Sequence, residues 1–143
     1  MKLNIFVDKN HDEEVIIYTH AKNELTDRIE QLVTENSFDL IGFIDREAVT
    51  LNLAEIQMFV VVDNKIYAVT GNEKFYVRTR LYVLEEKLPH NFVKINQSCI
   101  ANINHICRFD TSVSGTLKVK FKNGMSDYVS RRQLKNIKER FGL

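Results

Sequence analysis

The sequence has few of the features that mark enzymes, membrane proteins or disulfide-rich secreted proteins. Its 143 residues include two cysteines, one proline and five glycines. Five glycines leave little for a phosphate-binding loop, and the four scattered histidines form no catalytic or metal-binding pattern. No apolar run approaches the ~20 residues of a membrane span, and acidic residues close behind the amino terminus do not fit a signal peptide. We therefore expect a cytoplasmic, non-catalytic protein without a cofactor.

The two cysteines do not predict a metal site or a disulfide framework. Cys99 and Cys107 are accompanied only by His105, whereas a closed zinc site needs four ligands. We expect both cysteines to be buried as small apolar side chains. Cys99 follows Ser98 in a predicted strand, where neighbouring side chains point to opposite faces. We expect Ile95, Cys99, Ile100, Ile103 and Ile106 to belong to the core.

Charge is distributed unevenly along the chain. Residues 1–45 contain ten Asp and Glu and four Lys and Arg, for a net charge of −6. Residues 46–90 are balanced, and residues 91–143 contain ten basic and three acidic residues, for a net charge of +7. A basic region of this kind is typical of a surface that meets a polyanion, because Lys and Arg displace counterions from phosphates.

Periodicity predicts a mainly β protein with short helices. Turn signals separate the strands, and Asn123-Gly124 is the strongest hairpin signal among them. Pro89 ends one predicted helix, at residues 81–88, and a second helix is predicted at residues 131–141. The predicted strands are residues 40–44, 48–51, 56–62, 65–70, 74–77, 93–96, 106–110, 116–121 and 126–129.

The first 45 residues predict a small acidic β-β-α appendage. Alternation at residues 2–7 and a β-branched run at residues 15–18 indicate two short strands. The apolar residues Leu25, Ile29, Leu32 and Val33 then recur with helical spacing, which predicts an amphipathic helix at about residues 21–36. We expect residues 1–45 to form this appendage and residues 46–143 to form the main domain, with no flexible linker between them.

Two motifs in the basic third resemble the LytTR family of bacterial DNA-binding domains. The first runs from Phe92 through Lys94, Asn96-Gln97-Ser98 and an apolar pair to Asn102. The second is Tyr128-Val129-Ser130-Arg131-Arg132, followed by a basic helix pattern. The resemblance covers about residues 46–140. The short amino-terminal region is similar to that of compact stand-alone members, which have no phosphate-accepting receiver domain.

The resemblance implies a LytTR-type β-rich domain that reads the major grooves of double-stranded DNA through loop side chains. It assigns base contacts to Asn96, Gln97 and Arg132, with a further contact at Asn64 or Lys65. Asn and Gln suit adenine, and an arginine fork suits guanine. Arg131 is the basic neighbour of Arg132, and phosphate contacts fall to Lys94, Ser98, Lys135 and Lys138.

Other roles stay open for several of these residues. Asn96 and Gln97 could be ordinary turn residues, and Arg131 and Arg132 could be surface residues of a helix with Ser130 at its N-cap. Asn102 is expected to bond backbone rather than a base. The alternative function is a non-catalytic protein-interaction module whose basic face docks an acidic partner. Homodimerisation on repeated sites and a small membrane-protein regulator are implied by the resemblance alone.

Overall fold

The computed structural model describes residues 2–12, 14–35 and 39–143. Within them, helices and strands follow one another in mixed order, and no two helices are consecutive. No helix in these ranges is long and apolar enough to cross a membrane. The elements are α1 Glu24–Glu35, β1 Leu40–Ile44, β2 Glu47–Leu51, β3 Met58–Val62, β4 Lys65–Thr70, β5 Glu73–Val77, α2 Leu81–Lys87, β6 Phe92–Asn96, β7 Cys99–Asn102, β8 Ile106–Asp110, β9 Lys118–Phe121, β10 Ser126–Tyr128 and α3 Arg131–Phe141.

The strands form two antiparallel sheets. The larger has seven strands in the order β2-β1-β5-β4-β3-β7-β6, and the smaller has the order β10-β9-β8. A two-residue turn at Asp63 and Asn64 joins β3 to β4, and both residues have positive φ, 50° and 61°. Asp and Asn tolerate this left-handed backbone, which suits the twist of a tight hairpin. The predicted Asn123-Gly124 hairpin is confirmed between β9 and β10, and Gly124 has φ of 89°.

The larger sheet separates two apolar cores because successive side chains on each strand point to opposite faces. On β3 and β7, Phe59 and Ile100 belong to one core, whereas Met58 and Cys99 belong to the other. The first core is closed by Leu84 of α2. The second core is closed by the smaller sheet and by α3, through Leu117, Val119, Phe121, Val129 and Ile137.

The structure confirms the mainly β fold and most of the predicted elements. Strand β7 was not predicted, because all four of its residues are buried and its sequence lacks the alternation of a half-buried strand. Ile95, Cys99 and Ile100 are buried as expected. Ile103 and Ile106 are only half-buried, and Cys107 is exposed, so its predicted burial is wrong. Cys107 lies on β8, at the edge of the smaller sheet.

The two strands predicted at residues 2–7 and 15–18 are wrong. The described residues there form neither strand nor helix, and α1 is the only regular element before β1 in that part of the chain. Alternation predicts a strand, but a strand also needs a partner for its backbone groups, and none of the strands in the described ranges pairs with either segment. Most of their apolar side chains are exposed instead, with Phe6 89% and Val7 93% accessible.

The proposed boundary at residue 45 lies in the turn between β1 and β2. These strands pair along their whole length, from Leu40 opposite Leu51 to Ile44 opposite Glu47, and β1 also pairs with β5. Gly42 makes this pairing possible, because a Cβ there would lie 2.6 Å from the Cβ of Phe75. Residues 40–44 are therefore part of the seven-stranded sheet.

Asn102 is a fully buried polar residue that connects three segments. Its amide donates to the Ile56 carbonyl at 2.8 Å, and its side-chain oxygen accepts from Asn91 Nδ2 and from the Asn104 backbone N–H, both at 3.1 Å. The expected backbone-bonding role is confirmed. This arrangement holds the end of β7 against the chain that enters β3.

We predict that Asn102→Ala lowers the free energy of unfolding by at least about 2 kcal/mol, because each buried group left without a partner costs ~1–3 kcal/mol. Urea denaturation measures this difference. Asn104→Ala, at an exposed side chain on the same turn, is the matched control and should change stability little. Equal small effects from the two substitutions would contradict the role given to Asn102.

Candidate nucleic-acid interface

Two turns from different hairpins meet at one end of the seven-stranded sheet. Strands β3 and β7 pair antiparallel, with Val60 opposite Cys99, and the Val61 N–H donates to the Ser98 carbonyl at 2.9 Å. The Asp63-Asn64 turn that leaves β3 therefore lies beside the Gln97-Ser98 turn that enters β7. We call this end of the sheet, where the two turns lie, the reading end.

The link from β5 to α2 reaches the same end. Ile66 at the start of β4 pairs with Val77, the last residue of β5, so Arg78 and Arg80 follow at the reading end. Both arginines are exposed, and the Arg78 guanidinium lies 4.2 Å from the centre of the Phe43 ring. The sequence interpretation missed Arg80 as a site residue, although a basic residue between a strand and a helix was a usable signal.

The start of α3 is joined to the end of β6 by hydrogen bonds. The Ser130 N–H donates to the Ile95 carbonyl at 2.8 Å, and Asn96 Nδ2 donates to the Tyr128 carbonyl at 2.8 Å. Ser130 occupies the N-cap position, but its side chain makes no capping hydrogen bond. These contacts hold Arg131 and Arg132 next to the Gln97-Ser98 turn.

Asn96 has a structural role in this joint. Besides its bond to Tyr128, its side-chain oxygen accepts the Ser98 N–H at 2.8 Å. Both ends of the amide are thus engaged by backbone, and the two-point hydrogen bonding that adenine recognition needs would compete with these contacts. Gln97, in contrast, is an exposed residue of the same turn.

An open groove of about 590 Å³ runs between α2, β6 and the start of α3. It carries three cationic side chains and one carboxylate, Glu85, which lies 3.5 Å from Lys94 Nζ. The groove is therefore net positive. Its lining includes Arg80, Tyr82, Glu85, Lys94, Asn96, Gln97, Arg132 and Gln133.

The remaining predicted residues lie around this groove rather than in it. Lys65 follows the Asp63-Asn64 turn, and its ammonium lies 5.7 Å from the centre of the Tyr76 ring. Lys135 and Lys138 lie with Arg131 along another side of α3, around a second shallow groove. Ser98 is exposed at the reading end and contributes its backbone to the pairing with β3. Nine of the ten predicted site residues thus lie on the reading end, along β6 or in the first half of α3, whereas Lys138 lies in the last turn of α3.

Cys99 lies directly beneath the reading end and is fully buried. Burial raises the pKa of its thiol well above the usual range, and the neighbouring Asp127 raises it further. Because the thiolate is the reactive form of cysteine, this thiol is poorly suited to oxidation or alkylation. In the described part of the chain, no group of three His, Cys, Asp or Glu residues is placed to hold a metal ion.

Comparison with known proteins identifies the family. The sequence profile of the LytTr DNA-binding domain matches residues 46–142. A Staphylococcus aureus protein (strain NCTC 8325), named an uncharacterized HTH-type transcriptional regulator, is 34% identical and aligns with 100% of this chain and 99% of its own length. Its counterpart from strain MSSA476 is 33% identical over the same shares of both chains.

The fold comparison agrees with the sequence comparison. A LytTr DNA-binding domain from Bacillus cereus superposes with a TM-score of 0.69 at 19% identity, over 73% of this chain and 97% of that one. The chain belongs to the LytTR family and carries a LytTr DNA-binding domain.

We predict that the native protein is alkylated once per chain by iodoacetamide, at the exposed Cys107, and that Cys99 is modified only after unfolding. Peptide mass spectrometry of native and urea-treated samples distinguishes the two sites, and Cys107 is the internal control. Rapid modification of Cys99 in the folded protein, with a loss of DNA binding that a reductant reverses after oxidation, would make a redox switch the better account.

Proposed function

We propose that this protein is a cytoplasmic transcriptional regulator that binds double-stranded DNA sequence-specifically through side chains of the reading end. The observation that carries the proposal is the convergence of two hairpin turns and the start of α3 around a net-positive groove. The names of the Staphylococcus aureus relatives and the LytTr domain support the same general function.

Three side chains are proposed to contact base edges. Arg132 lines the groove at the start of α3, where its guanidinium can bond two acceptors of guanine. Gln97 is the proposed adenine contact. Asn64 is exposed in the turn that lies beside Gln97, and it is proposed as a further contact in the DNA major groove. Lys65 is its basic neighbour. Asn96 is proposed to position this set rather than to read a base.

A second group of residues is proposed to bind phosphates. These contacts place the protein on the duplex without specifying sequence, and they supply most of the salt dependence. Arg80 is added to the residues proposed from the sequence because it lines the same groove as Lys94 and Arg132. The group consists of Arg80, Lys94, Ser98, Arg131, Lys135 and Lys138.

The acidic amino-terminal appendage is proposed to stay away from DNA. Glu30 of α1 pairs with His90, and the carbonyl of His90 accepts a hydrogen bond from Arg140 near the end of α3. His90 precedes β6, whereas Gln97 follows it, and a strand of five residues spans ~17 Å. The contact of α1 thus lies at the end of β6 opposite the reading end. This position also suits a homodimer bound to repeated DNA sites.

A protein-interaction module with a basic docking face is the second candidate. It would use the same groove and would also weaken with salt. The two functions differ in one respect, because the affinity for an acidic protein does not depend on DNA sequence. A binding affinity that changes when base pairs are exchanged in a duplex of fixed length would support DNA binding over protein docking.

We predict that Arg132→Lys costs ~1–3 kcal/mol on the preferred duplex and little on a random duplex, because Lys keeps the charge and loses the planar fork. Fluorescence anisotropy titrations of both duplexes at the same salt concentration measure the two losses.

Lys135→Ala and Lys138→Ala are the matched controls for this substitution. Each should weaken binding to both duplexes by a similar factor and reduce the slope of log affinity against log salt by about one unit for a lost phosphate contact. If Arg132→Lys lowers affinity for both duplexes equally, Arg132 is a phosphate contact and not a base contact.

A further inference from the structure

The most unusual surface of this protein lies outside the DNA-binding domain. The amino-terminal arm, residues 2–18 apart from residue 13, contains a dense set of exposed apolar side chains and no strand or helix. Leu3 is 80% exposed and Tyr18 93%. Soluble monomers rarely expose a contiguous apolar surface larger than a few hundred Å². The set comprises Leu3, Ile5, Phe6, Val7, Val15, Ile16, Ile17 and Tyr18.

The first half of the arm is complementary to itself. If residue i faces residue 10 − i of a second copy in an antiparallel pair, Ile5 faces Ile5, Leu3 faces Val7, and Lys2 faces Asp8. The odd-numbered residues Leu3, Ile5 and Val7 then form one apolar face, and the two Lys2–Asp8 pairs lie on the opposite face. The same contacts occur twice about a twofold axis, as an isologous interface requires.

Other pairings of the same segment are less favourable. A shift by one residue places Lys2 opposite Lys9, and a parallel pair places Lys2 opposite Lys2 and Asp8 opposite Asp8. Like charges directly opposite on a sheet are destabilising. The charge pattern therefore disfavours the parallel pair and the register in which residue i faces residue 11 − i.

The arm is also bounded by a formed turn. The Asn10 N–H donates to Asp8 Oδ1 at 2.9 Å, and the His11 N–H donates to the Asp8 carbonyl at 3.4 Å. This turn ends the complementary segment at Asp8 and leads into the second apolar run at residues 15–18. The paired segment contributes Leu3, Ile5 and Val7 on one face and Phe6 on the other.

Charge also favours a protein partner over a lipid surface. Residues 2–18 contain four acidic and two basic residues, for a net charge of −2. An acidic segment is repelled by anionic lipid headgroups, which attract basic segments instead. The exposed apolar side chains need a partner that tolerates this charge. A second copy is such a partner, because the pairing of residue i with residue 10 − i places Lys2 opposite Asp8.

We propose that the amino-terminal arms of two copies pair as antiparallel strands, with residue i opposite residue 10 − i, and hold the protein as a dimer in the absence of DNA. The strand predicted at residues 2–7 then forms between chains rather than within one chain. α1 links each arm to the end of β6 opposite the reading end, through Glu30 and His90. Both reading ends stay accessible in such a dimer.

Disulfide crosslinking of the full chain tests the register. In a Cys107→Ser background, Ile5→Cys places two thiols on the twofold axis, where facing Cα atoms lie ~4.5–5.5 Å apart and can form a disulfide. Asn4→Cys is the matched control, because its two copies would be ~8 Å apart, beyond the ~7 Å limit for a disulfide. We expect mild oxidation to give covalent dimers for Ile5→Cys and at least tenfold fewer for Asn4→Cys. Equal crosslinking of the two variants would overturn the register.

A charge exchange tests the proposal without cysteine. Lys2→Asp and Asp8→Lys should each weaken the dimer about two- to tenfold in sedimentation equilibrium, whereas an equimolar mixture of the two variants restores both opposite-charge pairs. Asp8→Asn keeps an acceptor for the Asn10 N–H and controls for the turn. No recovery in the mixture would contradict the pairing.

Sedimentation of the unmodified protein decides whether a second copy is the occupant at all. We expect a dimer at micromolar chain concentration without DNA. A monomer that binds phosphatidylcholine vesicles through the arm would show that a lipid surface is the occupant, and a monomer in both conditions would also overturn the proposal. These measurements need no DNA, so their failure leaves the proposed DNA reading untouched.

Discussion

The site depends on one joint between two segments that are far apart in sequence. Asn96, at the end of β6, bonds the Tyr128 carbonyl, and the Ile95 carbonyl accepts the Ser130 N–H. These bonds fix the start of α3 beside the β6–β7 turn, so Arg132 and Gln97 line one groove. The buried side chains Ile95, Val129 and Ile137 support the joint from below. Without it, the two motifs would be separate basic and polar surface segments.

Much of the fold could be predicted from the sequence because its signals are local. Asp63-Asn64 and Asn123-Gly124 both form turns between paired strands, with positive φ at Asp63, Asn64 and Gly124, and Pro89 follows the end of α2. Strand β7 was missed because burial on both faces removes the alternating pattern on which the prediction relied. The arm was mispredicted for the opposite reason, since its alternating pattern is present but none of the ten strands that the structure describes pairs with it.

The candidate site was predictable in its residue types and less so in their roles. The motif positions around Gln97 and Arg132 come together in the structure, as the family resemblance implies. The roles of Asn96 and Arg80 depend on contacts between residues distant in sequence, namely the Asn96 bond to Tyr128 and the shared groove with α3. Spacing along a chain cannot report such contacts. In contrast, the acidic residues 1–45 and the basic residues 91–143 were visible in the sequence. In the structure, α1 of the acidic region lies near one end of β6, and the basic groove lies near the other end.

The proposed DNA contacts at one end of the seven-stranded sheet can be mapped by amide chemical shifts, recorded while a preferred duplex is added to the chain of residues 1–143. We expect the largest changes at the Asp63-Asn64 turn, at Gln97 and Ser98, and at Arg131 and Arg132. We expect small changes at the Gly71-Asn72 and Asn123-Gly124 turns, which contact each other at the opposite end through the bond from Asn123 Nδ2 to the Gly71 carbonyl. Changes concentrated at those two turns or in the amino-terminal arm, with the reading end unaffected, would contradict DNA binding at the reading end.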